Sequence, residues 1–168
     1  MAEKEPTVEQ PYFAEDTTPT PWAEARERLA DADTYWLATV RTDGLPHLVP
    51  LLGAWVDGAL CFVASLTSRK ARNLARDPHC VIAASKDALD LVVEGEATKV
   101  SGEVRLHRVA EAYMSKYGWP VTVRECAFYA DGAPTAGPPP YAVYEVIPQT
   151  AFGFPTEEGM FRPTRWRF

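Results

Sequence analysis

Short apolar runs separated by turn residues dominate the chain after residue 34. Residues 35–41, 47–56 and 59–64 are rich in aromatic and β-branched side chains, and an Asp-Gly pair separates each run from the next. Glycine accepts the positive φ angle that tight hairpin turns require. The pattern therefore predicts three consecutive antiparallel strands.

Three later segments extend the β pattern. Residues 79–85 form another apolar run, and residues 89–106 begin with alternation of mostly apolar and mostly polar side chains. Such alternation is typical of a strand with one face in the core and one in water. Residues 141–148 predict a sixth strand, so most of the chain is expected to be β-structure.

Helical spacing occurs between these runs. Trp22, Ala25 and Leu29 are three and four residues apart, and residues 108–118 show a similar apolar face, so each segment predicts an amphipathic helix. A further helix is expected after Ser68. The predicted fold is mainly β with inserted helices: a six-stranded antiparallel barrel with two to four peripheral helices.

Composition sets the domain organisation. The chain has 168 residues, of which 46% are hydrophobic, a size and composition that suit one compact domain. Residues 1–21 are rich in Pro, Glu and Thr and are expected to be a flexible N-terminal arm. Residues 22–168 are expected to form the single domain.

Charge and cysteine content exclude several function classes. The formal net charge of −6 disfavours binding to nucleic acid or to an anionic membrane, and no stretch has the length of an apolar membrane span. Three widely spaced cysteines indicate reduced thiols in a cytoplasmic protein. No His, Cys or carboxylate set has metal-ligand spacing, so no metal site is predicted.

Residues 65–78, SLTSRKARNLARDP, concentrate basic side chains in this acidic chain. If Ser68 caps a helix, the free N–H groups of its first turn, the Ser68 hydroxyl, Arg69 and Lys70 together suit a phosphate-sized anion. The alternative is a solvated helix face, because Arg and Lys are good helix formers. For His47, likewise, the alternative to a functional role is a surface position on a strand.

Two neighbouring segments together carry a family resemblance. FVASLTSRKARNLARDP, following PHLVPLLGAWVDGALC, resembles the flavin-binding core of the pyridoxamine 5'-phosphate oxidase-like split-barrel superfamily. The likeness extends from about Trp22 to Ala97, and the tail PTRWRF also resembles members of that superfamily. It implies a six-stranded split barrel that forms a homodimer and binds FMN, or the deazaflavin F420, between its two subunits.

The resemblance also implies roles for individual residues. Ser68, Arg69 and Lys70 would hold the cofactor phosphate, and Arg165 and Trp166 of the tail would reach toward the cofactor. The remaining cofactor-binding residues would run beside the ring or line the ribityl chain: Val49, Pro50, Leu51 and Leu52 for the ring, and Val63, Ala64 and Ser65 for the chain.

The expected function is that of an FMN-dependent oxidoreductase acting on a small molecule by hydride or electron transfer. Two alternatives stay open: an F420-dependent reductase of the same fold, and a non-catalytic protein that binds a flavin or another phosphorylated ligand. No catalytic side chain is assigned. The Arg-x-His element of the vitamin B6 oxidases has its nearest match in Arg162-Pro163-Thr164, which lacks the histidine, so oxidation of that vitamin is not expected.

Overall fold

The computed structural model describes residues 5–9, 18–131, 137–157 and 163–168. These residues form eleven strands and three helices. In chain order the elements are β1 (Thr7–Glu9), α1 (Trp22–Asp31), β2 (Tyr35–Val40), β3 (Pro46–Leu51), β4 (Gly53–Val56), β5 (Ala59–Ser65), α2 (Arg69–Arg76), β6 (His79–Lys86), β7 (Leu89–Lys99), α3 (Glu103–Tyr117), β8 (Thr122–Arg124), β9 (Ala127–Tyr129), β10 (Tyr141–Pro155) and β11 (Thr164–Arg167).

All strand pairs are antiparallel, and the mainly β fold with inserted helices is confirmed. The principal path of the sheet runs β1-β11-β10-β7-β6-β2-β3, and β5 joins it through β10 while also pairing with β4. The strand count exceeds six because short strands flank the barrel and because the predicted second strand divides in two. Both predicted Asp-Gly turns close hairpins, with positive φ at Gly44, Asp57 and Gly58.

The division of the second predicted strand lies at Leu52. The segment before it pairs with β2, whereas the segment after it pairs with β5. Backbone groups at this change of partner are satisfied by side chains of α3: the Tyr113 hydroxyl donates to the Leu52 carbonyl (2.8 Å), and the Tyr117 hydroxyl donates to that of Gly53 (2.7 Å). Lys116 also donates to the Gly53 carbonyl (3.2 Å). Helix α3 thus stabilises the bend that splits the barrel.

Two apolar clusters make up the core. The larger fills the barrel and includes Trp22, Tyr35, Phe62 and Trp166, all buried. The smaller lies between α3 and the outer faces of β4, β5 and β10. Every residue of β5 is buried, because its side chains enter the two clusters alternately.

Several local predictions change in the structure. Strand β7 ends at Lys99 rather than continuing to residue 106, and α3 begins at Glu103 rather than 108, because Leu106, Val109 and Tyr113 together form its buried face. Part of the predicted flexible arm has a defined place, since Thr7–Glu9 pairs with β11. The rest of that arm falls largely outside the described residues, and the domain boundary at residue 22 stays a prediction. Among the helices described, none is both long and apolar enough to span a membrane.

Candidate functional site

The register of the sheet leaves a gap between β3 and the end of β5. Gly53 lies opposite Phe62, so a straight continuation of β4 toward the N-terminus would place β3 alongside Val63–Ser65. β3 pairs with β2 instead, and in the described part of the chain neither its other edge nor that side of Val63–Ser65 has a strand partner. Unpaired strand edges offer N–H and C=O groups to a ligand.

Helix α2 begins at the end of this gap. A tight turn leads into it from β5, with a hydrogen bond from the Ser68 N–H to the Ser65 carbonyl (3.0 Å). Ser68 is the N-cap, and its Oγ accepts from the Ala71 N–H (3.2 Å), as the sequence predicts. No described residue accepts from the N–H groups of Arg69 and Lys70, which therefore remain available at the positive end of the helix.

Lys70 is the most informative side chain at the start of α2. Its exposed fraction is only 8%, and within the described residues its ammonium group has neither a carboxylate nor a carbonyl partner. Burial lowers the pKa of Lys70, because an ammonium group loses hydration there. A buried cation is costly unless it is paired, so this position favours an anionic ligand over the solvated-face alternative.

A hydrogen-bonded set of polar residues fixes α2 against the strands. The buried Asn73 amide donates to Thr39 Oγ1 (2.9 Å), and Thr39 Oγ1 lies 3.5 Å from His47 Nδ1. Burial lowers the pKa of His47, and the nearby charges of Arg69 and Lys70 lower it further. His47 therefore lies within electrostatic reach of the cationic start of α2.

The other predicted ligand residues of β3 and β5 occupy different environments. Val49 is half-buried and Leu51 is buried, whereas Pro50 and Leu52 are exposed at the bend. Val63 and Ala64 point into opposite core clusters, so any contribution from them to a ligand comes through the backbone edge rather than the side chain. Ser65 is 3% exposed, and its Oγ lies 3.2 Å from Thr67 Oγ1.

The tail residues make other contacts in the monomer, and Trp166 packs in the core. Its side chain has 0% exposure, its ring centroid lies 5.4 Å from that of Trp22, and its indole N–H donates to the Thr20 carbonyl (3.2 Å). Arg165 is ion-paired with Glu9, its Nε donating at 2.7 Å. In the monomer Trp166 therefore packs as a core residue, and a role for it at the cofactor stays a prediction.

Sequence reasoning named Lys70 as a phosphate ligand but missed the buried Asn73, and it left the role of His47 open. Asn73 and Lys70 lie on the buried face of α2 together with Ala71 and Leu74. An Asn at helical spacing from a Lys was the available signal, since both side chains would share one face. Among the described residues, no group of three or more His, Cys, Asp and Glu side chains is arranged to hold a metal ion.

Comparison with known proteins places this geometry in a family. The family model described as pyridoxamine 5'-phosphate oxidase matches residues 21–154. The chain belongs to the pyridoxamine 5'-phosphate oxidase family. This confirms the resemblance found in the sequence, whereas no curated protein matches the chain.

Solved structures share the fold of this oxidase family member. A conserved hypothetical protein, Rv2991, from Mycobacterium tuberculosis is 24% identical with a TM-score of 0.65, over 82% of this chain and 86% of the other. A heme binding protein from Mycobacterium smegmatis is 19% identical with a TM-score of 0.67, over 88% of this chain and 59% of the other. A protein described as an F420 reductase is 21% identical with a TM-score of 0.55, over 75% and 94%. At these identities the likeness concerns the fold alone.

We expect His47 to make anion binding pH-dependent. Burial and the nearby cations favour the neutral ring by lowering its pKa, and a bound anion would favour the protonated form, so affinity should rise as pH falls. Inorganic sulfate is the suitable probe because its charge is constant over this range. Between about pH 8 and pH 5, calorimetry should show roughly fivefold tighter binding for an added charge worth about 1 kcal/mol.

The matched variant is His47→Gln, which keeps polarity but cannot take up a proton. Its sulfate affinity should vary less over the same pH range. Equal pH dependence in the two proteins would contradict a role for His47.

Proposed function

We propose that this protein is a flavin-binding oxidoreductase that holds FMN along the gap between β3 and β5, with the phosphate at the start of α2. The observation that carries the proposal is the largely buried Lys70 side chain at that helix start, whose ammonium has no partner among the described residues. Family membership and the unpaired strand edges support it. The bound flavin would supply the hydride or electron transfer chemistry.

The residues of this chain would bind and orient the cofactor. Lys70, Arg69 and the two free N–H groups at the helix start would neutralise the phosphate, and the Ser68 hydroxyl proton would remain free to donate, since its oxygen is the acceptor in the cap. The edge of β3 from Val49 to Leu52 would offer backbone groups beside the ring. Pro50 lacks an N–H, so only its carbonyl can take part.

A second copy of the chain is the proposed partner, with the cofactor at the subunit interface. The outer face of β2 and β3 next to the gap exposes large apolar side chains, including Trp36 (46%) and Leu48 (60%). Trp36 lies opposite Pro50, and Leu48 opposite Ala38, so these residues form one continuous apolar surface on adjacent strands. Such a patch is typical of an interaction surface, and an uncharged patch can cover a copy of itself about a two-fold axis.

Leu48→Lys should convert the dimer to a monomer, because two like charges would face each other across the interface. Sedimentation velocity measures this directly. Val104→Lys is the matched control, since Val104 is 72% exposed at the start of α3 and lies on a different element. A Leu48→Lys protein that stays dimeric, or a monomeric wild type, would contradict this interface.

Titration of the purified protein with FMN, F420, riboflavin and hemin tests the function. We expect FMN to bind far more tightly than riboflavin, because riboflavin lacks the phosphate that α2 would hold. Preference for F420 would support the deazaflavin alternative, and hemin binding with no flavin binding would overturn the proposal. Reduction of the bound flavin by an added nicotinamide nucleotide, followed by reoxidation, would separate an oxidoreductase from a flavin carrier.

A further inference from the structure

A basic pocket lies beside the proposed phosphate position, where the end of β2 meets the exposed side of α2. It has a volume of about 270 Å³ and is lined by Arg41, Thr42, Arg69, Arg72 and Asn73. Three of its five lining residues are arginines, and none is acidic. Lys70 and Ser68 are not among them, so the pocket is distinct from the helix start and shares only Arg69 with it.

The charges in this pocket are poorly compensated. Arg41 pairs with Asp43 (2.6 Å), but Arg69 and Arg72 have no ion-pair partner within the described residues. They are three residues apart on one helix, a spacing at which like charges repel. The chain as a whole has a net charge of −6, so this local excess of positive charge is not a consequence of composition.

Two structural elements held together by hydrogen bonds form the pocket, rather than one helix face alone. The Arg76 guanidinium donates to the Arg41 carbonyl (2.7 Å), which ties the end of β2 to the last turn of α2. On the opposite side, Asn73 is 5% exposed and is held by its hydrogen bond to Thr39. Two elements that are distant in sequence therefore hold Arg41 close to Arg69 and Arg72.

We propose that this pocket binds a second anionic group, a phosphate or a carboxylate, of the same ligand whose first phosphate lies at the start of α2. Arg69 borders both positions, and Arg72 is three residues further along α2, about 5 Å at the rise of an α-helix. That spacing suits adjacent anionic groups of one molecule. The inference rests on the proposed function for the first phosphate and extends it to a polyanionic ligand.

Competition with bound FMN by inorganic phosphate and by pyrophosphate tests the pocket in the wild type and in Arg72→Gln. The wild type should prefer pyrophosphate by about tenfold or more, as expected for one added charge-assisted contact. Arg72→Gln should lose most of that preference while its affinity for phosphate and FMN stays within about twofold. Arg108→Gln is the matched control, because Arg108 is an exposed arginine of α3 that pairs with Asp57.

Binding of the complete cofactors FAD and F420 shows whether the second anionic group is a phosphate or a carboxylate. Weaker binding of FAD to Arg72→Gln indicates a second phosphate, and weaker binding of F420 indicates a carboxylate; either supports the inference. Unchanged affinity of Arg72→Gln for pyrophosphate, FAD and F420 overturns it. A protein that binds no flavin but binds pyrophosphate directly, with the same dependence on Arg72 in calorimetry, would overturn the flavin proposal while retaining the pocket.

Discussion

Replacing Arg69 and Lys70 together with alanine is expected to weaken FMN binding by at least about 30-fold, or about 2 kcal/mol, since two charge-assisted contacts to the phosphate would be lost. Fluorescence titration measures the change. The effect should be absent for riboflavin, because that flavin has no phosphate. The difference in affinity between FMN and riboflavin therefore measures the contacts of the helix start with the phosphate, separately from contacts with the ring.

The control is the double variant Arg28→Ala with Arg108→Ala, which removes the same charge from a partly exposed side chain of α1 and an exposed side chain of α3. It should bind FMN within about twofold of the wild type, as expected for distant, screened charges. If both double variants lose the same affinity, the loss reflects net charge alone. If neither loses affinity, the solvated-face interpretation of α2 is correct.

Replacing Lys70 should weaken FMN binding but stabilise the ligand-free protein. Lys70→Met removes a charge that has no partner among the described residues from a largely buried side chain and keeps much of the side-chain volume, so the ligand-free protein should gain about 1 kcal/mol in free energy of unfolding. The same variant should bind FMN more weakly and gain less stability from added FMN than the wild type. Denaturant unfolding with and without FMN measures both effects. If Lys70 only packed α2 against the strands, its replacement would not stabilise the ligand-free protein and weaken FMN binding at the same time.

Trp166→Ala is expected to lower the free energy of unfolding by about 3–5 kcal/mol, the range for a large aromatic removed from a packed core. Trp166 is fully buried and contacts Trp22, and a Cβ added at Gly153 would lie 2.6 Å from its ring. The indole therefore fills a space that Gly153 keeps open. Denaturant unfolding at fixed protein concentration measures the loss.

Arg167→Ala on the same strand is the control for Trp166. Arg167 is exposed, so its replacement should change the free energy of unfolding by no more than about 0.5 kcal/mol. Trp166→Phe is a milder variant for use if the alanine protein does not fold. If the phenylalanine protein keeps wild-type stability yet loses FMN affinity, the tail reaches the cofactor and the core assignment of Trp166 is wrong.

Most of the local structure could be predicted because its causes are local. The Asp-Gly turns, the Ser68 cap and the apolar spacing of α1 each depend on interactions within a few residues. The break between β6 and β7 was predicted but its turn conformation was not, because Asp87 and Ala88 adopt positive φ with no glycine present. The change of strand partner at Leu52 was likewise hidden, since it depends on hydroxyl groups of α3 more than sixty residues away.

The sequence by itself determined a mainly β domain, the cap and charge of α2, and the family likeness, because turn chemistry, periodicity and short motifs are properties of neighbouring residues. Only the tertiary structure decided that Lys70 is largely buried with no partner among the described residues, that Trp166 belongs to the core, and that Arg41 shares a pocket with Arg72. Burial and charge pairing depend on which distant strands and helices come together. A pattern along one segment therefore cannot distinguish a solvated basic helix from an anion site.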